Sequence, residues 1–457
     1  MPAITRTLSS IITEVSSRSP AGRAGVARPA DRRGASLTIA AALALASACG
    51  PKPDPGDTAS GTTGAEDTGD VPTTSGEPTS GVPADCPQGQ DPLTPLWTAE
   101  YQAPPDSFGF SSGQGPFARL ADGRIVVAMD FQPSVDEAGL ALLLTAADGA
   151  VIGPQTATVG DSNVEVHVLR IDSADRPVVL AEHYDGGDGP ELRLTRFAAD
   201  MSLLAELPLE FPAAGVDHRP AMVLDGDTPV VAGLDDESGL AHVARLAADT
   251  GVPEWKVQLT DDGLVLARQV AVGPDGSVAV AGHGAPDLDD PDTLHLWRFT
   301  ADGAPLWRRD LTVPSYEDIT ALHFAPDEQL VVLRGTREFS TRVELLSVEV
   351  ADGATRWERT VAEPEGDMSA WAQDLLIDGD RLTIPVTRSI AHHDISTTHH
   401  SLEIRTVSLS GELLDVVTLP GVLDGESTSW VRSVRGRCGE LILLESYEQL
   451  RLFAFAP

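Results

Sequence analysis

Seven short turns, each followed by a run of apolar residues, recur down this chain at a nearly constant interval. They are Asp122-Gly123, Ala174-Asp175, Gly226-Asp227, Asp275-Gly276, Asp327-Glu328, Gly379-Asp380 and Cys438-Gly439, and successive turns stand 53, 52, 48, 52, 53 and 58 residues apart. The runs that follow (Ile125 to Ala128, Val178 to Ala181, Val230 to Ala232, Val278 to Ala281, Leu330 to Leu333, Leu382 to Val386 and Leu441 to Leu444) are mostly apolar at consecutive positions. A half-exposed strand alternates apolar and polar residues, so these strands are read as covered on both faces. A unit of that kind cannot bury both faces alone, and a regular array of neighbours must do it.

Residues 267 to 310 show one unit whole. Two apolar runs meet at Pro274-Asp275-Gly276, two more meet at Asp302-Gly303, and a polar loop joins the pairs, which describes four antiparallel strands. The second turn recurs at Asp148-Gly149, Asp200, Asp249-Thr250-Gly251, Asp352-Gly353 and Ser410-Gly411, giving six copies. The last unit, from Ser429 onward, supplies three strands and ends at Phe453-Ala454-Phe455. Its missing outer strand is found at the other end of the repeats, where Leu93 to Glu100 (LTPLWTAE) matches Ala304 to Asp310 (APLWRRD). The expected fold is therefore all-β, a seven-bladed β-propeller of four-stranded antiparallel blades whose last blade is closed by the N-terminal strand. Such closure protects edges that would otherwise pair with other chains.

Trp97, Trp255, Trp307 and Trp357 hold the same place on the outer strand, shortly after a turn or its remnant. In this the chain resembles the quinoprotein-like propellers, which carry PQQ-like repeats with an Asp-Gly turn followed by a strand tryptophan. The resemblance is architectural. It implies tryptophans that pack between blades, and membership among the repeat propellers of bacterial envelope lipoproteins. The catalytic members of that group bind pyrroloquinoline quinone, but the adjacent cysteine pair and the longer docking repeat with its Gly-Lys pair are absent here. The chain has only two lysines and one asparagine, Asn163, for a calcium-anchored quinone site. No organic cofactor is expected.

The ends of the chain give an address. Arg28, Arg32 and Arg33 precede the uncharged stretch Leu37 to Ala48 (LTIAAALALASA), which ends at Cys49-Gly50. Twelve residues are too few to span a bilayer as a helix, and the layout is that of a secretory signal over residues 1–48. The small residues before Cys49 resemble the lipobox of bacterial lipoproteins, with Ala46 where that family usually has Leu; the resemblance implies acylation of Cys49. Gly50 stands where lipoproteins kept at the inner membrane typically carry Asp, so the same resemblance favours the outer membrane of the cell envelope. Residues 49–92 are built from Pro, Gly, Ser, Thr and Asp, cannot form a core, and read as a disordered tether with a span of roughly 35 Å. The propeller then occupies 93–457. With Cys49 lipidated, Cys86 and Cys438 remain as an even pair, and in an exported protein they are expected to form a disulfide. That bond would sit at the seam where the N-terminal strand closes the last blade.

A net charge of -37 and a pI near 4.4 argue against a nucleic-acid partner. The densest group of metal-type ligands is His392, His393, His399 and His400, between the second and third strands of blade six, where paired imidazoles would hold a divalent metal. The acidic stretches Asp185 to Gly189 and Asp287 to Asp292 match no defined calcium loop. No catalytic constellation emerges. The leading expectation is a monomeric, lipid-anchored envelope protein whose propeller is a non-catalytic binding or scaffolding platform for an envelope protein or glycan. An outer-membrane assembly factor is the variant of that reading. A propeller enzyme of the sugar or polyol dehydrogenase type, with its site on the axis, is the alternative from another class.

Overall fold

The computed structural model describes residues 94–101, 116–134, 137–160, 163–184, 190–212, 219–235, 240–259, 265–284, 293–312, 317–336, 341–372, 374–391, 397–419, 430–436, 439–446 and 450–456. Among them every regular element is a β-strand, and the strands form seven antiparallel sheets. Six of the sheets take their strands consecutively from the chain, innermost first. Blade 4 is typical, with strands Val265–Val272, Val278–Gly284, Thr293–Phe299 and Pro305–Thr312 in that spatial order. The seventh sheet combines Trp430–Arg435, Leu441–Ser446 and Leu450–Phe455 with Pro95–Tyr101 as its outer strand. The register there pairs Thr98 with Phe453 and Ala99 with Leu452. The protein is thus a seven-bladed propeller closed by its N-terminal strand, as the repeat pattern requires.

Blade 6 departs slightly from the pattern. Its inner strand is broken into Ser369–Ala372 and Leu376–Asp378, both paired with Arg381–Ala391. Four residue steps on one side face three on the other, so one extra residue is accommodated there.

The apolar runs account for the core. Val278, Ala279, Val280 and Ala281 are fully buried, as are Val178 to Ala181 and Leu330 to Leu333. Both faces of each such strand are covered because neighbouring blades stack on them. Among the described residues the buried side chains fall into seven clusters, each shared by two adjacent blades. Blades 3 and 4, for example, meet through Val230, Ala232, Val243, Val278, Val280, Trp297 and Phe299. Blades 7 and 1 meet through Ala99, Ile125, Val127, Leu143, Leu444 and Leu452.

Tryptophan docking ties the outer strands together. The Trp255 indole N–H donates to the Ala301 carbonyl at 3.0 Å, Trp307 to Val350 at 2.8 Å and Trp357 to Leu409 at 2.8 Å, and each acceptor belongs to the next blade. Each ring lies on the turn glycine of that next blade: Trp97 on Gly149, Trp255 on Gly303, Trp307 on Gly353 and Trp357 on Gly411. These glycines have positive φ, between +72° and +85°, so the residue the turn needs is also the one whose missing Cβ leaves room for the indole.

Among the described residues, several charged groups inside the blades are paired. On blade 6, Glu403 accepts from Arg388 at 3.1 Å and from Arg405 at 2.6 Å, while both arginines also reach carbonyls of blade 5. Burial pushes the Glu403 carboxyl up, but the hydrogen bonds from Arg388 and Arg405 outweigh it and hold the group below its ordinary value. A depressed folded-state value contributes stability above the unfolded value, near about pH 4.3, and that stability is lost as pH falls further. The urea midpoint of the wild type is therefore expected to fall between pH 5 and pH 3 more steeply than that of Glu403→Gln. Parallel pH profiles for the two proteins would contradict this.

Candidate functional site in the axial channel

The innermost strands stand side by side around the axis. In blades 2, 4 and 5 each carries a bulge at the same height, five residues before the hairpin. The extra residue is His167 between Val166 and Val168, Arg268 between Ala267 and Gln269, and Thr320 between Ile319 and Ala321. A bulge re-aims one side chain out of the alternation of its strand. Repeated around a ring, it turns a tier of polar groups out of the apolar blade faces.

Two tiers of charge line this channel. Nearer the hairpins are Arg170 and His323, at equivalent positions of blades 2 and 5, with Asp374 at the break in blade 6 and Arg432 on blade 7. Burial lowers the Arg170 guanidinium, and Arg432 lowers it further, against a raising effect from Asp374. His323 is lowered first by burial and then by Arg170, with Asp374 opposing. Blades 2 and 5 are not neighbours, so Arg170 and His323 sense each other only across the axis. Arg170 keeps solvent-exposed surface on the innermost strand of blade 2, although burial is the main cause that lowers its guanidinium. Asp374 is fixed there by the Ser433 backbone N–H and hydroxyl, at 3.0 and 3.3 Å.

The second tier lies toward the opposite end. Arg219 is lowered by burial, raised by Glu165 of blade 2 and Asp318 of blade 5, and lowered by Arg432 and Arg268. A chain of net charge -37 thus gathers Arg170, Arg219, Arg268 and Arg432 on its axis, set against Glu165, Asp318 and Asp374. Such a lining suits carboxylate or phosphate groups entering the channel, because guanidinium forks match those anions in a site of reduced dielectric.

At the wall of the second tier, Glu165, His167 and Glu182 converge. Glu165 and Glu182 are direct cross-strand partners on blade 2, on the same face. The His167 Nε2 lies 3.5 Å from Glu182 Oε2. The Tyr184 hydroxyl donates to Glu182 Oε2 at 2.8 Å and stands 3.3 Å from Glu165 Oε2. Burial pushes the Tyr184 phenol far up, and the hydrogen bond to Glu182 pushes it further, so it stays a proton donor. One potential ligand atom from each of the three residues lies within 4.8 Å of the others.

None of these residues was singled out by the sequence reading. A signal was present: Glu165 and His167 alternate with Val164, Val166 and Val168 on a strand that should be apolar, and Glu182 and Tyr184 end its partner. The residues that reading did single out are elsewhere. Cys49, Cys86, Cys438, His392 and His393 lie outside the described residues, as do residues 185–189 and 287–292. His399 and His400 fall at the start of the third strand of blade 6, His399 opposite Ser389, and their side chains are likewise outside the described set. The quinone of catalytic quinoproteins is anchored through calcium, which takes six to eight oxygen ligands. The one cluster of three metal-type ligands among the described residues pairs two carboxylates with an imidazole nitrogen, so it does not fit that group.

Comparison with known proteins agrees with the architecture. Residues 213–418, blades 3 to 6, match the family model described as outer membrane protein assembly factor BamB. No curated protein matches the sequence. Among solved structures, Drosophila Plexin A in complex with Semaphorin 1b is similar at 8% identity, over 79% of this chain and 87% of that one, with a TM-score of 0.46. Drosophila Semaphorin 2a is similar at 8% identity, over 78% and 75%, with a TM-score of 0.48. The WD40 domain of SCAP from fission yeast is similar at 9% identity, over 80% and 98%, with a TM-score of 0.40. At these identities and scores none bears on function. With a turn-and-tryptophan repeat that docks blade on blade and a ring of seven four-stranded sheets, the protein is a seven-bladed β-propeller, four of whose blades match PQQ-like repeats.

Proposed function

We propose that this protein is an envelope lipoprotein whose propeller is a non-catalytic binding or scaffolding platform, of the kind an outer-membrane assembly factor provides. The observation that carries the reading is the match of four consecutive blades to the assembly-factor model. The physics of the fold is consistent with it. Each blade is fixed on both faces by its neighbours, so loops at the two ends of the ring are held on a rigid frame, and an arginine-bearing channel opens between them. In this proposal Cys49 is acylated, residues 50–92 hold the propeller clear of the outer membrane, and Cys86 bonds to Cys438 beside the closing strand.

Photo-crosslinking in intact cells, with the tether retained and probes placed in loops at each end of the ring, tests the platform. The expected result is adducts with a defined envelope protein or glycan from one end and none from the other. Turnover of a sugar or polyol by the purified chain, with no end-specific adduct, would overturn the reading in favour of an axial enzyme. The anchor is tested separately. Cys49→Ala is expected to move the protein from the membrane fraction to the soluble envelope fraction and to abolish labelling by a clickable palmitate. Unchanged fractionation and labelling would remove the anchor.

A further inference from the structure

We propose that Glu165, His167 and Glu182 form a binding site for one divalent transition-metal ion, of the zinc type, in the wall of the axial channel. Three observations carry the assignment, and none depends on the role proposed for the platform.

The first is the placement of two glutamates directly opposite each other on one face of an antiparallel pair. Like charges at that position repel, and the Glu182 side chain has no solvent exposure through which water would screen them. The Tyr184 hydroxyl supplies a single proton toward two carboxylates. Arg219 is a channel cation that senses Glu165. A cation between the carboxylates is the direct remedy.

The second is the state of the buried polar atoms. Glu182 Oε1 and His167 Nε2 have no hydrogen-bond partner, although their side chains are 0% and 3% exposed. An unpaired buried polar atom is costly, and two of them aimed into one cluster point to a group that accepts lone pairs from both.

The third is the spacing. His167 Nε2 and Glu182 Oε2 stand 3.5 Å apart, long for a hydrogen bond. Two donors each bound at about 2.1 Å to a tetrahedral zinc ion lie about 3.4 Å apart. The donor set favours the same ions, since an imidazole with carboxylates suits zinc and its neighbours, whereas calcium and magnesium prefer oxygen alone. Tyr184 then acts as an outer partner that orients a ligating carboxylate through its hydrogen bond. Three protein ligands leave a fourth position for water or for a carboxylate held by the channel arginines.

The test is titration of the chelator-stripped mature chain with zinc chloride, followed by calorimetry and thermal unfolding. The wild type is expected to bind one zinc per chain and to unfold at higher temperature in its presence. Glu182→Gln and His167→Ala are expected to weaken binding by roughly 100-fold or more, and Tyr184→Phe by roughly 10-fold. The double variant His399→Ala, His400→Ala is expected to bind as the wild type does. Zinc-free Glu182→Gln should unfold no lower than the zinc-free wild type, because it removes the repulsion between the two carboxylates. Should Glu182→Gln fail to fold, Glu165→Gln at the half-exposed ligand replaces it with the same expectation for binding. Several results would overturn the site: no zinc uptake by the wild type; wild-type affinity in the Glu182 and His167 variants; loss of zinc only in the His399 and His400 variant; or an equal response to calcium.

Discussion

A chain from which residues 94–101 are deleted, with everything else retained, is expected to lose its cooperative fold and to aggregate. Pro95–Tyr101 is the outer strand of blade 7, in register with Leu450–Phe455 from Pro95 opposite Phe455 to Tyr101 opposite Leu450. Removing it takes away a ladder of about half a dozen backbone hydrogen bonds, roughly 5 kcal/mol at about 1 kcal/mol each. It also takes away Leu96, Trp97, Ala99 and Tyr101, which pack into the cluster shared by blades 7 and 1. An aromatic truncation alone costs about 3 kcal/mol or more. The sum rivals the whole stability of an ordinary domain, roughly 5–15 kcal/mol. The strand left at the edge carries Leu450, Leu452, Phe453, Ala454 and Phe455, all buried in the intact ring, and an unpaired apolar edge templates association. Urea unfolding followed by tryptophan fluorescence, with size-exclusion chromatography, measures both effects. A monomeric deletion variant with the wild-type midpoint would mean that blade 7 stands on three strands.

The second large effect is expected where an indole meets a turn glycine. Trp255→Ala removes the hydrogen bond to Ala301 and the ring that covers Gly303, for an expected loss of about 3 kcal/mol. Gly303→Ala attacks the same contact from the other side. Its φ of +84° disfavours any side chain by about 1–2 kcal/mol, and an added Cβ would lie 2.7 Å from the Trp255 ring, which adds an overpacking loss of about 1–3 kcal/mol. Gly226→Ala separates the two causes, because Gly226 has φ +61° with nothing within 4 Å of a built Cβ. It should lose only the backbone share. The double variant Trp255→Ala, Gly303→Ala is then expected to fall short of additivity by about 1 kcal/mol or more, since the overpacking vanishes with the ring. Urea midpoints for the four proteins complete the cycle, and strict additivity would show that ring and turn are not coupled. The same geometry recurs at Gly149, Gly353 and Gly411, so the result extends to four blade junctions.

The difference between what was readable and what was not follows from the range of the interactions. Seven blades, their four strands, the turns and the closing strand were legible in the sequence because each depends on local chemistry repeated many times. Asp-Gly turns, doubly covered apolar runs and a tryptophan at a fixed place on the outer strand all survive as a period of about 52 residues. The partner of Leu93 to Glu100 was found for the same reason, since a missing strand in a counted repeat has only one place to go.

The channel was not legible. Arg170, Arg219, Arg268, His323, Asp374 and Arg432 are isolated single residues in sequence, and no two of those on different blades share a motif. Only closure of the ring brings them within reach across the axis. Glu165, His167 and Glu182 were hidden differently: a bulge that the alternation pattern does not reveal swings His167 toward two glutamates joined by strand register. The histidines at 392–400 stood out because they are dense in sequence, and His392, His393 and the side chains of His399 and His400 lie outside the described residues. The sequence by itself determined the architecture, because a repeated local unit needs only neighbours like itself to bury its faces. The tertiary structure alone decided which charges meet, because their meeting depends on register, bulges and a closed circle of blades.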